Sequence, residues 1–275
     1  MCQLTREAVG GLRGCATRAT SCILGVWIAG AAIGAAGCAA RPAIVREAVP
    51  PGASALPPMA YVGIIGVSAN GEPIVAYFFE GREPGVLIVG SIHGSEPGGA
   101  TLCEHLLWRL RDGTPDGRRV VVVPKANPDG LLRQRRENAR GVDLNRNFPA
   151  ANFRRSAAGG PEPLSEPESR ALYDLVREER PGLVISIHEP LGVVDYDGPA
   201  TEWARCLAER IGLPLRRLGA RAGSMGAWVG ETVGLPIVTL ELPRGAARPS
   251  TAASWEAYTS ALLDAIAWPE PAEAK

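Results

Sequence analysis

The sequence predicts an α/β fold with three layers, α/β/α, around a mixed, mostly parallel and twisted sheet. Two observations carry this reading. Four apolar runs are near-continuous rather than alternating: GVLIVGSIHG (85–94), RVVVVPKANPDG (119–130), LVISIHEP (183–190) and LPIVTLELP (235–243). That pattern marks strands buried on both faces. Stretches with helical periodicity lie between most of them, so strands and helices alternate along the chain. The chain has 275 residues, of which 46% are hydrophobic, enough for one large domain with its own core.

YVGIIGVSANGEPIVAYFFEG (61–81) reads as two strands joined at Asn70-Gly71, a strong hairpin signal. The first buried strand, 85–94, follows. Pro97 suits the first turn of a helix, and 99–111 is amphipathic with its end at Asp112-Gly113. The second buried strand, 119–130, is expected to close in a turn made by Asn127, Pro128, Asp129 and Gly130. Residues 131–165 are polar, irregular and rich in Gly and Pro, and so long a segment inside a compact domain is usually functional. A helix is expected over 165–180, capped by Ser165 with Glu168 three residues later, the pattern of a capping box. The third buried strand, 183–190, leads to a helix over 200–211, a weak strand over 213–219 and a short helix over 226–234. The fourth buried strand, 235–243, and a helix over 251–268 complete the order.

The first 38 residues read differently. Arg6, Arg13 and Arg18 form a basic start, and CILGVWIAGAAIGAAG (22–37) is apolar and uncharged, the layout of an export signal. AAGC (35–38) is similar to the bacterial lipoprotein cleavage box, which makes Cys38 the expected lipidation site and places the protein in the cell envelope or periplasm. An ordinary cleaved signal and an uncleaved membrane anchor are the alternatives. Residues 39–59 contain PPGASALPP (50–58) and read as a Pro/Ala-rich linker, leaving 60–270 as the folded domain. Lys+Arg and Asp+Glu both total 29, which gives no sign of a nucleic-acid partner. Only Cys103 and Cys206 fall outside the leader; two distant cysteines make no disulfide framework, and one bridge or two free thiols both remain open.

The chemistry-bearing residues gather at strand ends. His93 and Glu96 stand where a buried strand gives way to a helix, and His188 ends another buried strand. The carboxyl ends of strands form the usual crevice of open α/β sheets. Two imidazoles and one carboxylate there make the ligand set of a catalytic zinc site, with one position left open. The third histidine, His105, lies on the expected helix 99–111 and reads as a packing or surface residue.

HGSE (93–96), NPDG (127–130), GVDLNRNFP (141–149), SIHEP (186–190) and TLELP (239–243) follow in that order. Together they resemble the zinc metallocarboxypeptidase family, over about residues 85–245. Within it, RENARGVDLNRNFP (136–149) and HEPLG (188–192) look most like the murein peptide amidases, which cut between γ-D-glutamate and diaminopimelate in cell-wall peptides. The resemblance implies a zinc carboxypeptidase-like fold and one zinc ion held by His93, Glu96 and His188. It implies that Asp143 orients a ligating imidazole, that Asn145 and Arg146 bind the substrate's carboxylate, that Glu241 is the general base and that Arg136 faces the developing oxyanion. The larger digestive members carry a substrate-capping tyrosine ahead of the base; RLGARAGSMGAW (217–228) has none, as in the murein amidases.

The implied activity is hydrolysis of an amide bond in short, murein-derived peptides bearing a free carboxylate, by an exported, membrane-tethered enzyme. Asp195, Asp197, Glu231 and Arg244 are candidates for reading the diaminopimelate side chain, and the sequence does not choose among them. Two other readings are an N-acyl amino acid deacylase of the aspartoacylase type and a catalytically silent envelope-binding module.

Overall fold

The structure is a computed structural model that describes residues 45–48, 60–245 and 252–267. The leader and Cys38 lie outside the described residues. Eight strands form one sheet: β1 Val45–Ala48, β2 Ala60–Val67, β3 Pro73–Phe79, β4 Arg82–Gly90, β5 Arg118–Val123, β6 Leu183–His188, β7 Leu191–Asp197 and β8 Ile237–Pro243. Among the described residues, five α-helices accompany them: α1 Gly98–Leu110, α2 Pro128–Arg133, α3 Pro167–Glu179, α4 Thr201–Ile211 and α5 Ala252–Ala267. A π-helical turn spans Ala227–Val233 and a 3-10 turn Leu144–Arg146.

The strand order is β1-β2-β3-β5-β4-β6-β8-β7. The sheet is mixed, as expected, and parallel pairing is confined to the central strands β5, β4, β6 and β8. Both flanks are antiparallel. β1 falls inside the segment 39–59 that reads as a linker, and it pairs with β2.

The apolar runs build both outer layers at once because successive side chains of a strand point to opposite faces. On β4, Val86 and Ile88 join one core while Leu87 and Val89 join the other. The first core packs against α1, α4 and α5 through Leu102, Leu106, Leu207 and Leu262; the second packs against α3 and the π-turn through Leu172, Leu175 and Trp228. His105 stacks on Trp255 with ring centroids 5.7 Å apart, which is the packing role expected of it. Cys103 is buried and Cys206 half-buried, and both are free thiols.

Three local expectations are corrected. Asn127, Pro128, Asp129 and Gly130 open helix α2 instead of a simple turn: Asn127 accepts from Gly130 N at 2.9 Å and Pro128 takes the first helical position. That is the ordinary chemistry of a helix start. The Ser165–Glu168 capping box does not form; α3 begins at Pro167 without a side-chain cap. Glu168 is fully buried and accepts from Ala69 N and from Asn138 Nδ2. Residues 213–219 do not make a strand, and only Leu215 bridges to Val194. β7, Leu191–Asp197, is a strand that the sequence reading lacks.

Candidate metal centre and substrate cleft

β4, β6 and β8 run parallel, so their carboxyl ends lie along one edge of the sheet. His188 is the last residue of β6 and faces Glu241 of β8 in register. His93 and Glu96 occupy the turn from β4 into α1. Ser91, at φ 48°, staples that turn: its hydroxyl donates to Glu96 O and accepts from Ala100 N, each at 3.0 Å. Gly94 has to be glycine, since a Cβ there would lie 1.9 Å from the carbonyl carbon of Gly130 in α2.

His93, Glu96 and His188 are all buried, and their donor atoms lie within 4.8 Å of one another. His93 Nδ1 is 2.8 Å from Glu96 Oε1, and His188 Nδ1 is 2.9 Å from Glu96 Oε2. The two Nδ1 atoms are 3.2 Å apart. Each ring is fixed through its other nitrogen, His93 Nε2 by Asp143 at 3.1 Å and His188 Nε2 by Ser186 at 3.0 Å. Such partners set the tautomer of metal-bound imidazoles. Two Nδ1 lone pairs and a carboxylate aimed at one point fit a zinc ion, with room in its shell for one more ligand.

The charges agree with this arrangement. Burial opposes ionisation of Glu96, but hydrogen bonds to His188 and His93 outweigh it and hold its carboxyl at about 2. Asp143 is likewise held well below the usual carboxylate range, against burial, by its hydrogen bond to His93 and by Arg136 and Arg146. Burial raises the Glu241 carboxyl above its ordinary value, and nearby Glu96 adds to that while His188 opposes it. Arg146 is shifted down by burial and by the charges of Arg136 and Arg221, with Asp143 opposing. An arginine crowded by other arginines is poised to receive an anion.

Most of the candidates inside the described residues meet at one cleft of about 250 Å³, which suits the end of a short peptide. His93, Glu96, Arg136, Asn145, Arg146, His188 and Glu241 line it. Asp143 stands behind His93, and Arg136 bonds to Asp143 Oδ2 at 2.9 Å and Glu96 Oε1 at 3.2 Å. Asn145 accepts from Met225 N at 2.8 Å, fixing its amide at the cleft wall. Of the four side-chain-reading candidates, Asp195 and Asp197 line the cleft; Glu231 and Arg244 are not among its lining residues.

A family model described as zinc carboxypeptidase matches residues 53–201. Murein peptide amidase A of Escherichia coli is 34% identical over 248 residues, covering 83% of this chain and 95% of that protein. The chain belongs to the zinc carboxypeptidase family. It is accordingly a hydrolase of the metallopeptidase class. Among solved structures, the murein-tripeptide amidase of Escherichia coli superimposes with a TM-score of 0.63 at 34% identity, covering 79% of this chain and 96% of that one. Carboxypeptidase A of Helicoverpa armigera, 19% identical, shares the fold with a TM-score of 0.61 over 76% of this chain and 69% of that one.

Two zinc carboxypeptidase site residues escaped the sequence reading. Ser186, which holds His188, stands two residues before it on β6 and so points to the same face, a signal the alternation carries. Glu189 donates its backbone N–H to Glu96 Oε2 at 3.2 Å and accepts from Gly98 N at 2.5 Å, tying the end of β6 to the first turn of α1. That contact crosses 91 residues and leaves no local trace.

Proposed function

We propose that this chain is a zinc-dependent murein peptidase, hydrolysing an amide bond beside a free carboxylate in short cell-wall peptides. The observation that carries the reading is the meeting of His93, Glu96 and His188 with Glu241, in a cleft bordered by Arg136 and Arg146. The likeness to murein peptide amidase A over nearly the full length of that protein supports the substrate class.

A bound zinc ion would supply Lewis acidity toward water and the scissile carbonyl. Glu241 takes the proton of the attacking water and returns it to the leaving nitrogen, the work of a general base turned acid. Arg136 donates to the carbonyl oxygen as it gains charge; a preorganised donor of this sort contributes about 3–4 kcal/mol. Arg146, steadied beside Asn145, grips the carboxylate of the substrate, for which a guanidinium offers two parallel hydrogen bonds. The export leader and lipidation at Cys38 belong to the same proposal, since they would tether the enzyme beside its polymer.

The test is product analysis by mass spectrometry after incubation with a γ-D-Glu-diaminopimelate peptide. Glu241→Gln should retain the metal and lose about 100-fold to 10,000-fold in kcat, the share of a general base. His188→Ala should lose the metal itself, read by metal analysis. Full turnover by the Gln variant would remove Glu241 from the mechanism.

A further inference from the structure

Two carboxylates outside the cleft share one neutral partner. Glu166 and Glu168, where α3 begins, are both buried. Asn138 Nδ2 donates to Glu166 Oε2 at 2.7 Å and to Glu168 Oε2 at 3.0 Å. Among the described residues, the one cation within ion-pair reach of either acid is Arg140, whose Nη1 lies 3.7 Å from Glu166 Oε2. Buried carboxylates are costly to desolvate, so such a pair is a weak source of stability. It is a strong fixed point, because each acid can only be satisfied in one arrangement.

That point holds the loop that carries Arg136. Asn138 Oδ1 accepts from Arg140 N at 3.0 Å and from Val142 N at 3.1 Å, and Asn138 N donates to Val142 O at 2.9 Å. Both ends of the Asn138 amide are therefore committed, the oxygen to closing the loop and the nitrogen to anchoring it on α3. Arg136 stands two residues upstream, with a side chain 40% exposed. Among the described residues its backbone has one other tie, a long contact from Asn127 Nδ2 to Arg136 O at 3.4 Å. A long side chain half in solvent has many rotamers to lose, and it keeps one aim only if its own backbone is held still.

The neighbouring site residues have separate anchors. Asp143 N donates to Ala158 O at 2.8 Å, and Asp143 Oδ1 accepts from Asn145 N at 2.9 Å. Asn147, next to Arg146, donates to Gly159 O at 2.8 Å and to Ser165 Oγ at 2.9 Å, and accepts from Glu166 N at 3.1 Å. Loosening Asn138 therefore releases Arg136 and leaves Asp143 and Arg146 in place.

We infer that Asn138 is a positioning residue for Arg136: clamped to Glu166 and Glu168, it fixes the loop so that the guanidinium meets the oxygen that gains charge during cleavage. The inference rests on the peptidase reading above and on the part that reading gives Arg136.

Kinetics on the γ-D-Glu-diaminopimelate peptide test it. Asn138→Ala should lower kcat by about 10-fold to 100-fold, the cost of misplacing an oriented group by about 1 Å. KM and zinc content should stay near wild type, because Arg146 and the metal ligands keep their own supports. In an Arg136→Ala background the same substitution should add little, since the group it positions is gone. Unchanged kcat in the folded Asn138→Ala enzyme would overturn the inference and leave the peptidase reading intact. A loss that follows zinc content, or one repeated in full on top of Arg136→Ala, would overturn it as well. Where Asn138→Ala does not fold, Glu168→Gln decides: the side chain keeps its size, but its single oxygen cannot serve Ala69 N and Asn138 Nδ2 as two carboxylate oxygens do. A fall in kcat with KM held supports the inference, and wild-type kcat overturns it. Failure of the wild-type enzyme to cleave the peptide would remove the peptidase reading, and this inference with it.

Discussion

His93 and His188 present the same ring atom, Nδ1, to a common point, and each is locked there through Nε2. The ligands themselves were legible, because an imidazole and a carboxylate at H-x-x-E spacing follow a continuous apolar run and the second imidazole ends another. The partners that orient them were legible only where a recognisable motif carried them, as GVDLNRNFP carries Asp143. Asp197 was named as one candidate of four; Glu231 and Arg244 do not line the cleft, and Asp197 differs from Asp195 in an Oδ1 unpaired among the described residues. Its chemistry makes a pH prediction. The folded value of about 6 lies above the ordinary 3.8, so the folded state holds a proton that the unfolded chain releases earlier. The stability that follows is complete below about pH 4 and is lost as pH rises through about 6. Asp197→Asn should therefore be more stable than wild type at pH 8, by at most about 3 kcal/mol, with the gain vanishing near pH 4. Urea midpoints across that range check it, and a constant difference would reject the shift.

At the scale of elements, long periodic segments were read well and short ones were not. α1, α3 and α4 have the lengths and apolar stripes that betray helices, and Asn70-Gly71 marks the hairpin. α2 was missed since Asn-Pro opens both turns and helices, and six residues are too few to show a period. β7 escaped because LGVVDYD sets two acids on the face that lines the cleft, with Val194 and Tyr196 on the face that meets the core. Glu168 reads as a capping residue from spacing, yet contacts with residues 69 and 138 recruit it into the interior. Glu168→Ala should leave the Ala69 N–H without its acceptor and the Asn138 amide with Glu166 alone. The expected cost is about 1–3 kcal/mol, read as a fall in the urea midpoint with zinc content unchanged. A neutral result would show that other acceptors replace the carboxylate.

The molecule as a whole brings together residues that the sequence keeps 95 apart, His93 and His188. Parallel pairing of β4 with β6 and of β6 with β8 does this, and the order of strands depends on contacts no local pattern encodes. The α/β class was legible from apolar runs; confinement of parallel pairing to four central strands was not. A metal held by two such distant segments binds the folded chain and not the unfolded one. Zinc at about 100 times its dissociation constant should add about 2.7 kcal/mol to stability. That corresponds to roughly 5–10 °C in Tm for a domain of this size, by differential scanning fluorimetry. His188→Ala should abolish the shift; an undiminished shift in that variant would place the ion elsewhere. The outer position of β7 has a final consequence. His188 and Glu241 sit on adjoining central strands, whereas Asp195 and Asp197 ride on a marginal ribbon joined antiparallel to β8. A substitution that loosens that ribbon would therefore be felt at Glu241, whose Oε2 accepts from Leu191 N at 3.4 Å and whose backbone faces Val193.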